Sequence, residues 1–383
     1  MSNRLHSLDT LRGLAALGVV LWHWQHFFYV THGTPMPGWR PEWEPFFPLL
    51  KAFYLYGWMA VDLFFALSGF VFAWLYAEAV AERRIAAARF AQLRFSRLYP
   101  LHLLTLLVVV VLQWNYHRQT GGHFVYHANN PDHFVASLFF VQNWLHDTQS
   151  FNGPSWSVSV EILIYILFFA LCRARLFHWA TCVAMIAAGA TLYYFHLLGD
   201  VGRGVMGFFA GAIAFGITRA IAARPDAVRL SRAIMGAAVL AWAVTVGQLY
   251  WPALAAWLER LPVFRLPEIT LPLFVLLVGA PTLMALALHE QVLGRKYERL
   301  SFLGDISYSV YLLHFPLQLL LANIAVHRGW LPEDFMSPFV LIAFFSALIA
   351  LALLSYRYFE RPMQTAIRGH SRPRLAPQPD RVI

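Results

Sequence analysis

The sequence predicts an all-α polytopic membrane protein, a bundle of about ten transmembrane helices, and three observations carry that prediction. Hydrophobic residues make up 59% of the 383 positions and charged residues only 13%, roughly half the charged share of soluble domains. Apolar runs long enough to cross a ~30 Å hydrocarbon layer recur along the whole chain. The basic residues punctuate those runs and do not pool in one patch, which argues against nucleic acid as the partner of a +9 chain.

Ten apolar windows follow one another at 10–30, 55–80, 98–116, 154–172, 177–198, 204–222, 232–251, 269–289, 302–323 and 338–357. With the N-terminus in the cytoplasm, 22 of the 29 basic residues fall in cytoplasmic segments and 7 on the opposite side, as the positive-inside rule requires. Both termini are therefore expected inside. The stretch 133–145 is apolar but short for a span, and it reads as a re-entrant or interfacial piece on the outer side. The first window carries His23 and no small-residue cleavage pattern follows it, so it reads as an uncleaved span and not as a signal peptide. Cys172 and Cys182 flank a cytoplasmic turn, where a structural disulfide is not expected. The transmembrane domain is expected to occupy 1–362. A basic, Pro-rich tail over 363–383 composes too little apolar surface to fold and suits anionic lipid.

Ionisable residues inside apolar windows mark the candidate chemistry, because each is costly at membrane depth. Arg12 and His23 lie eleven positions apart in the first window, on nearly one helical face and about 16 Å apart in depth. An imidazole there suits a general base for an attacking hydroxyl or a transient carrier of a transferred group, or else a polar contact inside the bundle. In the second window Asp62 either bonds across helices or faces an outer vestibule, and Ser68-Gly69 suits close helix packing. Arg94 and Arg97 share a helical face; they serve positive-inside topology, or they grip phosphates by bidentate bonds. Glu161 enters two turns into the fourth window and needs a basic or hydrogen-bonding partner, for which His23 is the first choice. In the ninth window Tyr311 and His314 sit three apart ahead of Pro316, which is expected to kink or loosen the helix; His314 lines the cavity of His23 or plays a structural part. No metal-ligand cluster, phosphate-cradling glycine loop or dinucleotide fingerprint is present. A transporter of a small anionic or acylated solute would also use an intramembrane His/Glu pair, but the two halves show no matched interrupted helices.

Five of these stretches, in order, resemble the membrane-bound acyltransferase-3 family. They are the Arg-x10-His pair of Arg12 and His23, the run Val61-Asp62-Leu63-Phe64-Phe65-Ala66-Leu67-Ser68-Gly69-Phe70, the Arg-x-x-Arg pair of Arg94 and Arg97, the segment from Trp156 to Glu161, and the run from Ser307 to Pro316. Arg357 and Glu360-Arg361-Pro362 are similar to the family's ending. The resemblance implies a ten-helix core in the bacterial inner membrane and transfer of an acyl group, acetyl above all, from cytoplasmic acyl-coenzyme A. The acceptor it implies is a hydroxyl of a saccharide or lipid-linked glycan. By position it assigns His23 and Glu161 to catalysis and Arg12, Arg94 and Arg97 to the donor, with Asp62, Ser68, Tyr311 and His314 as further cavity residues. Acyl-coenzyme A would be a co-substrate, no cofactor being permanently bound. The soluble hydrolase-like domain that some members carry is not expected here. Aromatic residues of the outer segment 39–44 would stack on sugar rings or form an interfacial belt.

Overall fold

A computed structural model describes residues 4–30, 34–146, 148–261, 267–294 and 297–369. The protein is an all-α polytopic membrane protein. Its helices are α1 (His6–Trp22), α2 (Phe47–Tyr56), α3 (Ala60–Leu75), α4 (Ala77–Ala81), α5 (Ala87–Thr120), α6 (Pro131–Leu138), α7 (Gln142–Leu145), α8 (Trp156–Arg173), α9 (Trp179–Tyr194) and α10 (Val201–Ala222). They continue as α11 (Ala227–Tyr250), α12 (Pro252–Leu258), α13 (Pro267–Leu273), α14 (Ala280–Leu293), α15 (Phe302–Arg328), α16 (Pro338–Ser355) and α17 (Arg361–Arg368). Eight helical segments among the described residues are long and apolar enough to cross a membrane. The two remaining windows of the sequence correspond to α1, which runs on as a 3-10 turn over His23–Phe28, and to the 16-residue α9.

The bundle has an inside and a lipid face, and hydropathy alone does not separate them. In the most apolar stretch of the segment that contains α15, 72% of residues are buried, against 6% for α11. Helix α15 is thus the central post, packed on α1, α5 and α16, while α3 packs on α10 and α1. Small residues permit those contacts. A Cβ added to Gly304 of α15 would stand 2.4 Å from the Asp9 carbonyl oxygen of α1, and one on Gly69 of α3 would stand 1.7 Å from the Phe208 oxygen of α10. Gly69 therefore serves the close helix approach expected of Ser68-Gly69, and it leaves Ser68 free for another purpose.

Several local expectations meet the structure at particular residues. Helix α5 starts at Ala87, ahead of the third window, so the basic stretch that carries Arg94 and Arg97 is helical. Helix α15 runs through Pro316 to Arg328. Proline lacks the N–H that would bond four residues back, and Asn152 Nδ2 donates to the Leu312 carbonyl instead at 3.0 Å. The short stretch 133–145 forms parts of α6 and α7, neither long enough to span. Residues 363–368, assigned to the tail, are the end of α17, which follows a π turn over Tyr356–Glu360; the tail from 370 onward lies outside the described residues. Cys172 and Cys182 are both buried free thiols.

Candidate active site

One cavity of about 450 Å³ opens among α1, α3, α5, α8, α15 and α17. It joins most of the residues singled out in the sequence: Arg12, Ser68, Arg94, Arg97, Glu161 and Tyr311 all line it. Asp62, His23 and His314 do not.

The arginines form its mouth. Arg12 Nη2 donates to Asp9 at 2.6 Å, and Asp9 also accepts from Arg4 at 2.5 Å. The Nε of Arg12 is buried with no hydrogen-bond partner among the described residues. Arg94 donates to the Tyr76 hydroxyl at 2.6 Å and lies 4.9 Å from the ring centroids of both Phe72 and Tyr76. That cage fixes its guanidinium by cation–π attraction without neutralising it, and its Nε too is buried with no hydrogen-bond partner among the described residues. Neither Arg94 nor Arg97 has a carboxylate within salt-bridge distance among the described residues. Guanidinium groups held this way in a concave mouth suit a phosphate-bearing anion.

Midway along the cavity stands Glu161, half-buried on α8. It accepts a short hydrogen bond from the Tyr165 hydroxyl, one turn along the same helix, and one of 3.1 Å from Ser68 Oγ. The expected pairing of Glu161 with His23 is therefore corrected: a phenol and a hydroxyl satisfy the carboxylate, and among the described residues it makes no hydrogen bond to His23. Tyr165 stacks on Phe72 at 4.2 Å, so one aromatic layer links Glu161 to the arginine cage.

Asp62 is also placed apart. It is fully buried and pairs across helices with Arg203 of α10, Nη2 to Oδ2 at 2.9 Å. Arg203 bonds Asp200 as well and is sandwiched 5.0 and 5.1 Å from the rings of Trp58 and Trp156. Of the two readings of Asp62, the bond across helices is the observed one.

At the inner end of the cavity Tyr311 donates to the Pro154 carbonyl at 2.8 Å and lies 2.7 Å from the Ser157 hydroxyl. Beyond it come three imidazoles. The rings of Tyr311 and His314 are 6.0 Å apart, and His23 lies 4.8 Å from both His314 and His26. His23 is 6% exposed and His314 is fully buried, with neither ring nitrogen bonded among the described residues. The Nδ1 of His23 stands 2.9 Å from the Val19 carbonyl oxygen, one turn earlier in α1. A carbonyl only accepts, so Nδ1 carries the hydrogen and Nε2 keeps the lone pair of the neutral ring. Gln318 locks the layer: its Nε2 donates to the His23 carbonyl at 2.9 Å and its Oε1 accepts from His26 Nδ1 at 3.2 Å. An anchored imidazole with a defined basic nitrogen can take a proton from a hydroxyl. No group of three His, Cys, Asp or Glu side chains is placed to hold a metal ion among the described residues.

Sequence reasoning assigned no role to Tyr165, His26 or Gln318. Each stands three or four residues from a residue it did single out, Glu161, His23 and His314 respectively, and helical spacing is the signal that finds them.

The family model described as an acyltransferase domain, that of the acyltransferase-3 family, matches residues 5–357. Acyltransferase MdmB of Streptomyces mycarofaciens is 36% identical over 173 residues, 43% of this chain and 38% of that protein. Protein 2 in the picA locus of Rhizobium radiobacter is 38% identical over 102 residues, 27% of this chain and 42% of that protein. O-acetyltransferase OatA of Staphylococcus aureus is 23% identical over 393 aligned positions, 94% of this chain and 57% of that protein. The matched regions thus span about half or less of these relatives' own length. No solved structure matches the chain. With a family match running nearly end to end, the chain belongs to the acyltransferase-3 family.

Proposed function

We propose that the protein takes an acetyl or similar acyl group from acyl-coenzyme A and transfers it to a hydroxyl of a saccharide or lipid-linked glycan. In this reading it sits in the bacterial inner membrane with the arginine mouth facing the cytoplasm. The observation that carries it is the run of polar groups from Arg94 and Arg97, which no carboxylate pairs among the described residues, through a cavity, to an imidazole with a fixed lone pair. Arg12, Arg94 and Arg97 hold the phosphates of the donor, and the acyl-pantetheine arm extends along Glu161 and Ser68 toward Tyr311. Glu161, with Tyr165, keeps that wall polar and in register.

His23 acts as the base. Its Nε2 accepts the proton of the acceptor hydroxyl as that oxygen bonds to the thioester carbonyl carbon. The tetrahedral adduct then collapses, the carbon–sulfur bond breaks, and the imidazolium returns its proton to the departing thiolate. Ester and free coenzyme A are the products, and His23 ends neutral. Because Tyr311 separates the cavity from the imidazoles, the thioester meets His23 once Tyr311 releases Ser157 and Pro154.

Support for the acyl chemistry comes from the family, and support for an O-linked acceptor from the name of the OatA relative. The test is reconstitution in lipid with isotopically labelled acetyl-coenzyme A and a glycan acceptor. One labelled ester per free coenzyme A is the expected result. Release of coenzyme A with no acylated acceptor, or no use of acyl-coenzyme A at all, would refute it.

A further inference from the structure

Helix α17 lies beyond the region matched by the family, which ends at residue 357, yet it forms part of the cavity wall. Gln364 and Arg368, one turn apart on one face, both line the cavity. The helix is pinned at both ends. The π turn before it aims Glu360 inward, where it accepts a short hydrogen bond from Ser309 of α15 and one of 3.1 Å from Ser355. At the other end Gln92 of α5 donates to the Ile367 carbonyl at 2.7 Å and Arg89 to the Arg368 carbonyl at 3.2 Å, satisfying carbonyls that a helix C-terminus otherwise leaves bare.

Arg368 is held in turn. Its Nε donates to Ser96 Oγ at 2.8 Å and Nη2 to the Leu93 carbonyl at 3.4 Å. A guanidinium has five N–H donors, and the two hydrogens of Nη1 and one of Nη2 have no hydrogen-bond partner among the described residues. Arg94, Arg97 and Arg368 all line the one cavity, which brings a third guanidinium to that pair. No carboxylate lies within salt-bridge distance of any of the three among the described residues. Three like charges at one mouth oppose one another unless a multivalent anion sits among them.

We propose that α17 completes the donor site, with Arg368 binding a phosphate at the nucleotide end of acyl-coenzyme A and Gln364 donating beside it. The inference rests on the donor reading above and adds to it a residue and an element outside the family-matched region. An anionic lipid headgroup offers the same phosphate chemistry, and the choice of lipid separates the two sources.

The purified full-length protein is placed in nanodiscs of phosphatidylcholine alone or with phosphatidylglycerol. Coenzyme A binding is titrated, and transfer is measured with acetyl-coenzyme A and with acetyl-pantetheine, which lacks the nucleotide phosphates. Arg368→Gln is expected to weaken coenzyme A binding and raise KM for acetyl-coenzyme A about tenfold in neutral lipid, a change of ~1.4 kcal/mol. It should leave KM for acetyl-pantetheine as in wild type, and Arg368→Lys should recover part of the loss. Gln364→Glu, which touches none of the anchors of α17, should also weaken coenzyme A binding by adding a negative charge at the site. Wild-type affinity in both Arg368→Gln and Gln364→Glu would overturn the proposal. So would equal losses for both donors, which mark a packing role, or a defect confined to discs with phosphatidylglycerol, which marks a headgroup site. If wild type itself binds no coenzyme A, the donor reading fails and this inference with it.

Discussion

At the scale of single residues, the site depends on who pairs with whom, and the sequence carries only half of that information. Tyr165 is recoverable from Glu161 because both lie on one helix at a spacing that makes side chains meet. Ser68 is not, since it stands 93 positions away and nothing in a linear sequence sets the register between two packed helices. The same gap explains why His23 looked like the partner of Glu161: equal depth in a membrane does not determine direction around a helix axis. The observed trio yields a prediction. Glu161→Gln keeps an acceptor for Tyr165 but removes the charge, and kcat/KM should fall about tenfold, ~1.4 kcal/mol of barrier. Tyr165→Phe should cost a similar amount. The double variant should lose clearly less than the sum of the two, because both single changes break one shared hydrogen bond. Full additivity in steady-state kinetics would mean that the two groups act independently.

At the scale of elements, the spans were legible because an apolar run of membrane length has few alternatives to a helix. Where the chain is charged, that signal stops, and the first three turns of α5 and all of α17 were missed for this reason. Both are helices whose polar residues bond to neighbouring elements, as Arg368 does to Ser96. The contact between α3 and α10 shows what a buried ion pair does in such a bundle. Asp62 has no solvent exposure and Arg203 little, so losing one partner strands the other charge. Asp62→Asn is expected to lower stability by about 3 kcal/mol, the lower end of the cost of breaking a buried pair, because Asp200 still holds Arg203. Thermal unfolding in detergent reads this directly. The catalytic rate per folded molecule should stay near wild type, since neither Asp62 nor Arg203 lines the cavity. An unchanged midpoint would show that the pair contributes nothing to the fold.

At the scale of the whole molecule, the chemistry needs a direction across the membrane. The proposed donor side carries the arginine mouth, and the His23 layer continues toward the loops at the other end of α1 and α15. A single cysteine at Glu333, in the turn between α15 and α16, should react with a membrane-impermeant thiol reagent on intact cells. One at Glu82, between α4 and α5, should not. Both positions are exposed, and the native thiols Cys172 and Cys182 are buried, so the background is low. The reverse pattern would place the arginine mouth outside and remove cytoplasmic acyl-coenzyme A as the donor.

The central claim, that the anchored imidazole of His23 is the base for acyl transfer, is tested most directly by His23→Gln with binding and turnover measured on one reconstituted sample. Glutamine keeps a side-chain amide able to donate near the Val19 carbonyl but has no basic nitrogen. Acyl-coenzyme A affinity should remain within about twofold of wild type, because the arginine mouth is untouched. Transfer should fall on the order of 10³-fold, in the range attributed to general-base catalysis. Transfer at the wild-type rate with donor affinity retained would contradict the account and shift the search for the base to His314.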